Sequence, residues 1–185
     1  MSKIADRVLL IPEDVSVSYD SILRKLIVKN SNNLLTQDIH NQVDLIIEDN
    51  SIKTKPVFET EEKNEAIVGT MNSLINNMLK GVKDGYQKVL DIKGVGYKVS
   101  LNNSILDFSL GYSHNILLKV PSGLTVDCIN STKLIIKGAD KQQVGWFASK
   151  IRDFRKPNVF VKSLKGIFYQ GETIKIKSGK KEAKK

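Results

Sequence analysis

The sequence is poor in the residues that usually carry chemistry. Its 185 residues include a single cysteine, Cys128, and two histidines, His40 and His114. A lone thiol forms no intramolecular disulfide. One cysteine and two scattered histidines also lack the close-spaced ligand pairs of a zinc site. Aromatic residues make up only 6% of the chain, and prolines number four. No apolar run approaches the ~20 residues that a membrane-spanning helix needs. The first apolar run, Val8-Leu9-Leu10-Ile11, follows Asp6, stops at Pro12 and has no small-residue cleavage site, so it does not read as a signal peptide. A soluble chain in a reducing compartment is the expectation.

What the chain does have is positive charge, and it is concentrated at one end. The formal net charge is +9. Residues 1–90 hold 11 Lys/Arg against 13 Asp/Glu, whereas residues 91–185 hold 18 against 7. The halves therefore carry −2 and +11. A coding bias toward lysine would raise the charge of both halves. A one-sided field instead suggests a polyanionic partner met by the C-terminal half.

The chain also repeats itself. Val15-Ser-Val17-Ser-Tyr19, the turn Asp20-Ser21 and a strand over Ile22–Lys29 are matched by Tyr97-Lys-Val99-Ser-Leu101, Asn102-Asn103-Ser104 and Ile105–Leu110. Alternating apolar positions broken by Asn, Asp and Ser predict hairpins. Two further strands are expected in each half, over 43–48 and 52–55, then over 124–129 and 133–137. A helical stripe follows in each. Met71, Leu74, Ile75 and Met78, shifted by 73 positions, land on Val144, Phe147, Ala148 and Ile151. Asp140 and Gln143 suggest a capping box before the second helix. Ile92-Lys93-Gly94-Val95-Gly96-Tyr97 is echoed by Leu164-Lys165-Gly166-Ile167-Phe168-Tyr169.

The expected fold class is therefore α+β, with two tandem copies of a small module, each an antiparallel sheet packed with one main helix. The first module spans 1–90 and carries an acidic insertion over 56–64. The basic second module spans 91–170, and a lysine-rich tail covers 171–185.

No catalytic site emerges from this pattern. Cys128 alternates with Val126 on a predicted strand, where a small core side chain fits, and no base is placed beside it. Glu59, Glu61, Glu62 and Glu65 open a helix, where carboxylates complement the helix dipole. Gly94 and Gly96 lack the third glycine and the following helix of a dinucleotide fingerprint, and read as structural glycines. No cofactor is implied.

The candidate site is the basic end. Arg152, Arg155 and Lys156 crowd the end of the second helix, and Lys162, Lys165, Lys175 and Lys177 follow. Lys141, Lys150 and His114 are outer candidates. Such density neutralises phosphates and makes binding salt-dependent. Trp146, one turn from Lys150, either stacks on a base or packs beneath the C-terminal extension, and the second is preferred because tryptophans usually find cover. These observations alone do not choose between RNA and DNA. They leave a free nucleic-acid-binding module as one rival and a cysteine-dependent enzyme, with an exposed reactive Cys128, as another.

Several phrases resemble the bacterial-type large-subunit ribosomal protein six family: Gly94-Val-Gly-Tyr97, Leu110-Gly-Tyr-Ser-His114, Val120-Pro-Ser-Gly-Leu124 and above all Lys137-Gly-Ala-Asp-Lys-Gln142. Ile11-Pro12 with Val15 and Val17, and the helix around Asn72-Ser-Leu, resemble its N-terminal module. The resemblance runs over nearly the whole chain. It implies a structural constituent of the large ribosomal subunit, bound to 23S-type rRNA mainly through its C-terminal module. The expected location is near the sarcin–ricin loop and the region where translation factors dock. It further implies neighbouring ribosomal proteins as partners, a cytoplasmic, ribosome-bound location and no small-molecule substrate. One departure stands out. The family's compact Pro-Glu-x-Tyr-Lys-Gly-Lys-Gly signature is replaced here by Pro157-Asn-Val-Phe160-Val-Lys162-Ser-Leu-Lys165-Gly166, with a short insertion.

Overall fold

The structure, a computed structural model, describes residues 7–48, 50–57, 62–158 and 164–175. The chain divides into two compact units, Met1–Tyr86 with Ala139–Lys141 and Gln87–Gly138 with Gln142–Lys185. Both are α+β, each with antiparallel sheets and one helix.

The first unit contains β1 (Leu9–Leu10), β2 (Ser16–Asp20), β3 (Lys25–Lys29), β4 (Leu34–Asp38), β5 (Val43–Glu48), β6 (Ser51–Pro56) and α1 (Glu62–Lys83). Its strands form two three-stranded sheets, β2-β3-β4 and β1-β6-β5. The anticipated single sheet is thus divided in two, and β4 supplies a third strand to the hairpin read from the sequence. Strand β3 begins at Lys25 rather than Ile22. Asp20 Oδ1 accepts hydrogen bonds from the backbone N–H groups of Ile22 (2.9 Å) and Leu23 (3.1 Å), holding them in a turn. Arg24 then adopts a positive φ of 51°. Helix α1 buries Val68, Ile75, Met78, Leu79 and Val82 against Leu26, Val28, Val43, Leu45 and Ile52. Each such side chain contributes about 1.5–3 kcal/mol of burial. Asn72, also buried, donates to the Arg7 carbonyl (2.7 Å) and to Thr54 Oγ1 (3.2 Å).

The second unit repeats the plan with β7 (Tyr86–Lys93), β8 (Lys98–Asn102), β9 (Ile105–Ser109), β10 (Ile116–Lys119), β11 (Leu124–Asn130), β12 (Lys133–Gly138), α2 (Lys141–Phe154) and β13 (Gly166–Tyr169). Strands β8, β9 and β10 form one sheet, and the other runs β11-β12-β7-β13. Asn103 and Ser104 both have positive φ, at 44° and 66°, which makes the tight two-residue turn whose twist suits a hairpin. The two repeated phrases at 92–97 and 164–169 meet each other: Ile92 pairs with Ile167 and Lys93 with Gly166. Asp140 stands immediately before α2, at the cap position. Val144, Phe147, Ala148 and Ile151 are its buried residues, as the matched stripes required.

Candidate nucleic-acid interface

Helix α2 ends at Phe154, and Pro157 prevents its continuation. The chain beyond then runs against its own returning segment. Asn158 N–H donates to the Lys165 carbonyl (2.9 Å), and Ile167 N–H donates to the Arg155 carbonyl (2.9 Å). Gly166 makes this approach possible. Its φ is +135°, and a Cβ there would lie 2.8 Å from both the Lys156 carbonyl oxygen and Pro157 Cα. The clasp brings the backbones of Arg155–Asn158 and Lys165–Ile167 side by side. It also brackets the segment carrying Lys162, which lies outside the described residues, as does Lys177.

The loop Leu110–His114 reaches the same end of the unit. Tyr112 Oη donates to the Phe154 carbonyl (2.9 Å). The Arg155 guanidinium lies 4.7 Å from the Tyr112 ring centroid, and its Nε donates to Tyr97 Oη (3.2 Å). Tyr97 is itself fixed by glycines: a Cβ on Gly94 would fall 2.4 Å from its ring, and one on Gly111 3.1 Å. Hydrogen bonding to Tyr112, then to Tyr97, pushes the Arg155 guanidinium further above its ordinary value. A guanidinium is charged at any accessible pH in any setting. His114 is exposed, two residues beyond Tyr112.

The other candidates differ in how free they are. Arg152 turns inward, donating to Glu172 Oε1 (2.5 Å) with its guanidinium 5.1 Å from the Tyr169 ring centroid. Glu172 Oε2 in turn accepts from Tyr169 N–H (3.1 Å). Among the described residues, Lys156 makes a loose, exposed pairing with Asp153 (3.3 Å). Lys165 and Lys175 are exposed. Lys141 groups with the first unit, where its Nζ donates to Asn77 Oδ1 (3.2 Å) and lies 5.8 Å from the Tyr86 ring centroid. Lys150 sits 5.0 Å over the Trp146 ring. The C-terminal extension expected to cover Trp146 lies largely outside the described residues. Trp146 is 59% exposed on the outer face of α2, with the Lys150 side chain for cover, because the α2 core stripe leaves position 146 pointing away from the sheets.

The features that would support catalysis do not assemble. Cys128 is half-buried on β11, and burial first, then the Asp127 charge, raise its thiol above the ordinary value, opposite to the shift a nucleophile needs. Among the described residues no group of three or more His, Cys, Asp or Glu side chains converges for a metal, and no helix is long and apolar enough to cross a membrane.

Comparison with known proteins decides the family. The model of the ribosomal protein L6 family matches residues 11–85 and again 93–167, one copy per repeat. The chain belongs to the ribosomal protein L6 family.

L6-family relatives match end to end. A large ribosomal subunit protein uL6 of Mesoplasma florum is 41% identical over 184 residues, covering 100% of both chains. The uL6 of Helicobacter pylori strain G27 is 39% identical over 180 residues, 97% of this chain and 98% of the relative. That of Shewanella pealeana is 37% identical over 182 residues, 98% and 100%. As an L6-family member the chain is a non-enzymatic protein, which removes the cysteine-enzyme rival. Tyr97 and Tyr112 stand in the phrases that carry the family resemblance, but nothing in the sequence joined them to the basic end. Their link to Arg155 spans 58 and 43 positions, so no local spacing marks it.

Proposed function

We propose that this chain is a structural constituent of the large ribosomal subunit, working in the cytoplasm, that binds 23S-type rRNA through its second unit. The observation that carries this reading is full-length L6-family similarity joined to a charge of +11 over residues 91–185. Its binding end is the clasp after α2, where Arg155, Lys156 and Lys165 gather, with Lys175, Lys150 and His114 as further contacts; Lys162 and Lys177, outside the described residues, are added from the sequence. Arg152 acts from behind, its charge held by Glu172, and Lys141 groups with the first unit. Phosphate neutralisation and shape, rather than base reading, supply the affinity. Family resemblance supports a position near the sarcin–ricin loop and the translation-factor docking region, with neighbouring ribosomal proteins as further partners and no small-molecule substrate.

The test is sucrose-gradient fractionation of a lysate containing the tagged chain, at moderate and then high salt. Co-sedimentation with the large subunit is expected, and persistence after the small subunit dissociates. Free protein at the top of the gradient at both salts would return the chain to the class of independent nucleic-acid-binding modules. Replacing Lys162 and Lys165 by alanine should weaken binding to deproteinised large-subunit rRNA and reduce the salt slope by about one unit per lost phosphate contact.

A further inference from the structure

We propose that Tyr112 and Arg155 form a preorganised site for one unstacked nucleotide, the guanidinium engaging a phosphate and the phenol ring stacking on that nucleotide's base. This presupposes that the second unit binds rRNA and specifies what it binds there: a base flipped from, or outside, a regular helix.

The chain has four arginines, Arg7, Arg24, Arg152 and Arg155, among 29 basic residues. Arg24 spends its guanidinium on the carbonyls of His40 (3.1 Å) and Val43 (2.5 Å), and Arg152 spends its own on Glu172. Arg155 is different. The partners of its side chain are two phenols, which orient the fork without cancelling its charge. Among the described residues no carboxylate pairs with it. An arginine so placed is a phosphate ligand with its entropy already surrendered, unlike the long lysines around it.

The tyrosine is equally constrained. Tyr112 keeps 44% of its surface exposed, yet its hydroxyl is tied to the Phe154 carbonyl and one face lies against the guanidinium. Phe154 packs edge-on against Phe108 (centroids 5.6 Å apart), which is fully buried. The platform is thus anchored into the core through Phe154, and through Tyr97 to Gly94 and Gly111. A merely structural staple would need the hydroxyl and the guanidinium, but not a tyrosine left 44% exposed. Stacked bases inside an A-form helix offer no free face, so the ring selects single-stranded or bulged nucleotides.

The test uses the full chain and deproteinised large-subunit rRNA in filter binding between about 50 and 200 mM salt. Arg155→Lys keeps the charge but loses the fork, and affinity should fall about tenfold with little change of salt slope. Tyr112→Leu should cost about tenfold, as expected for one lost base stack. Tyr112→Phe, which loses the staple hydroxyl and keeps the ring, should stay within about twofold of wild type. Equal loss in the Phe and Leu variants, or no loss in Arg155→Lys and Tyr112→Leu, overturns the site while leaving rRNA binding in place. A wild-type chain that does not bind the rRNA overturns both. Should Tyr112→Leu fail to fold, ultraviolet cross-linking of the unaltered complex decides. A Tyr112 peptide carrying a nucleotide supports the site, and cross-links confined to other peptides of this unit overturn it.

Discussion

Matched positions of α1 and α2 carry different side chains on one frame. Leu74 and Ile75 of α1 correspond to Phe147 and Ala148 of α2. Leu74 is half-buried and Ile75 fully buried, while Phe147 and Ala148 are both fully buried. Bulk has moved one position along the helix, and the α2 pair is the smaller, with alanine where α1 has isoleucine. Buried Asn72 corresponds to Gly145, around which an added Cβ would meet nothing within 4 Å. Helix α1 closes on Gly85, at φ 73°, with Asp84 N–H donating to the Lys80 carbonyl (2.8 Å) and Gly85 N–H to the Gly81 carbonyl (3.0 Å). Helix α2 instead runs into Arg155 and Pro157. The comparison teaches that this fold keeps the same helix face buried while the side chains that fill it, and the polar group among them, differ between the copies. Helix ends and outward faces are left to carry −2 in one half and +11 in the other.

Substitutions at matched positions can break or sharpen this view. Phe147→Ala should lower the unfolding free energy of its unit by about 3–5 kcal/mol. Leu74→Ala, half-buried, should cost about 1–2 kcal/mol. Denaturant titration of the full chain with probes in each unit separates the two, and equal costs would mean the helices bury these positions alike. Asn72→Ala should cost about 1–3 kcal/mol by leaving Thr54 and the Arg7 carbonyl without this partner. Gly145→Ala at the matched position should stabilise by roughly 1 kcal/mol through helix propensity alone. A loss on Gly145→Ala in thermal melting would show that the glycine answers to packing. The smallest effects belong to the paired hairpins, where Lys53–Glu48 (3.0 Å) and Lys137–Asp127 (2.9 Å) are exposed ion pairs. Lys53→Gln and Lys137→Gln should each change stability by less than about 1 kcal/mol, and by still less at high salt.

Much of the fold was legible because periodicity is a local signal. The stripe in α2 and the strand pairs β5–β6 and β11–β12 followed from alternation and turn residues. Strands β4 and β10 were not seen. Leu34–Asp38 puts two leucines side by side with polar residues after them, and Ile116–Lys119 is four residues long, so neither shows a clean period of two. Their partners in the sheet, β3 and β9, decide them. The site was legible as a charge density and no further. Sequence cannot distinguish Arg152, neutralised by Glu172, from Arg155, left charged on a tyrosine frame, because the difference is made by residues 20, 43 and 58 positions away.

Strand β7 carries a consequence for how the chain is made. It is the first strand of the second unit to be synthesised, and it lies between β12 and β13, the last two. The strands and helix of the first unit are complete once Lys83 has emerged, although Ala139–Lys141, which group with that unit, follow much later. β7 must then wait with both edges open until Gly138, and finally Tyr169, leave the synthesising machinery. Its pairing with β13 is a long-range closure, slow to form and exposed to wrong partners in the interval. Emergence of the last strand therefore sets the earliest moment at which the sheet of the second unit can be whole.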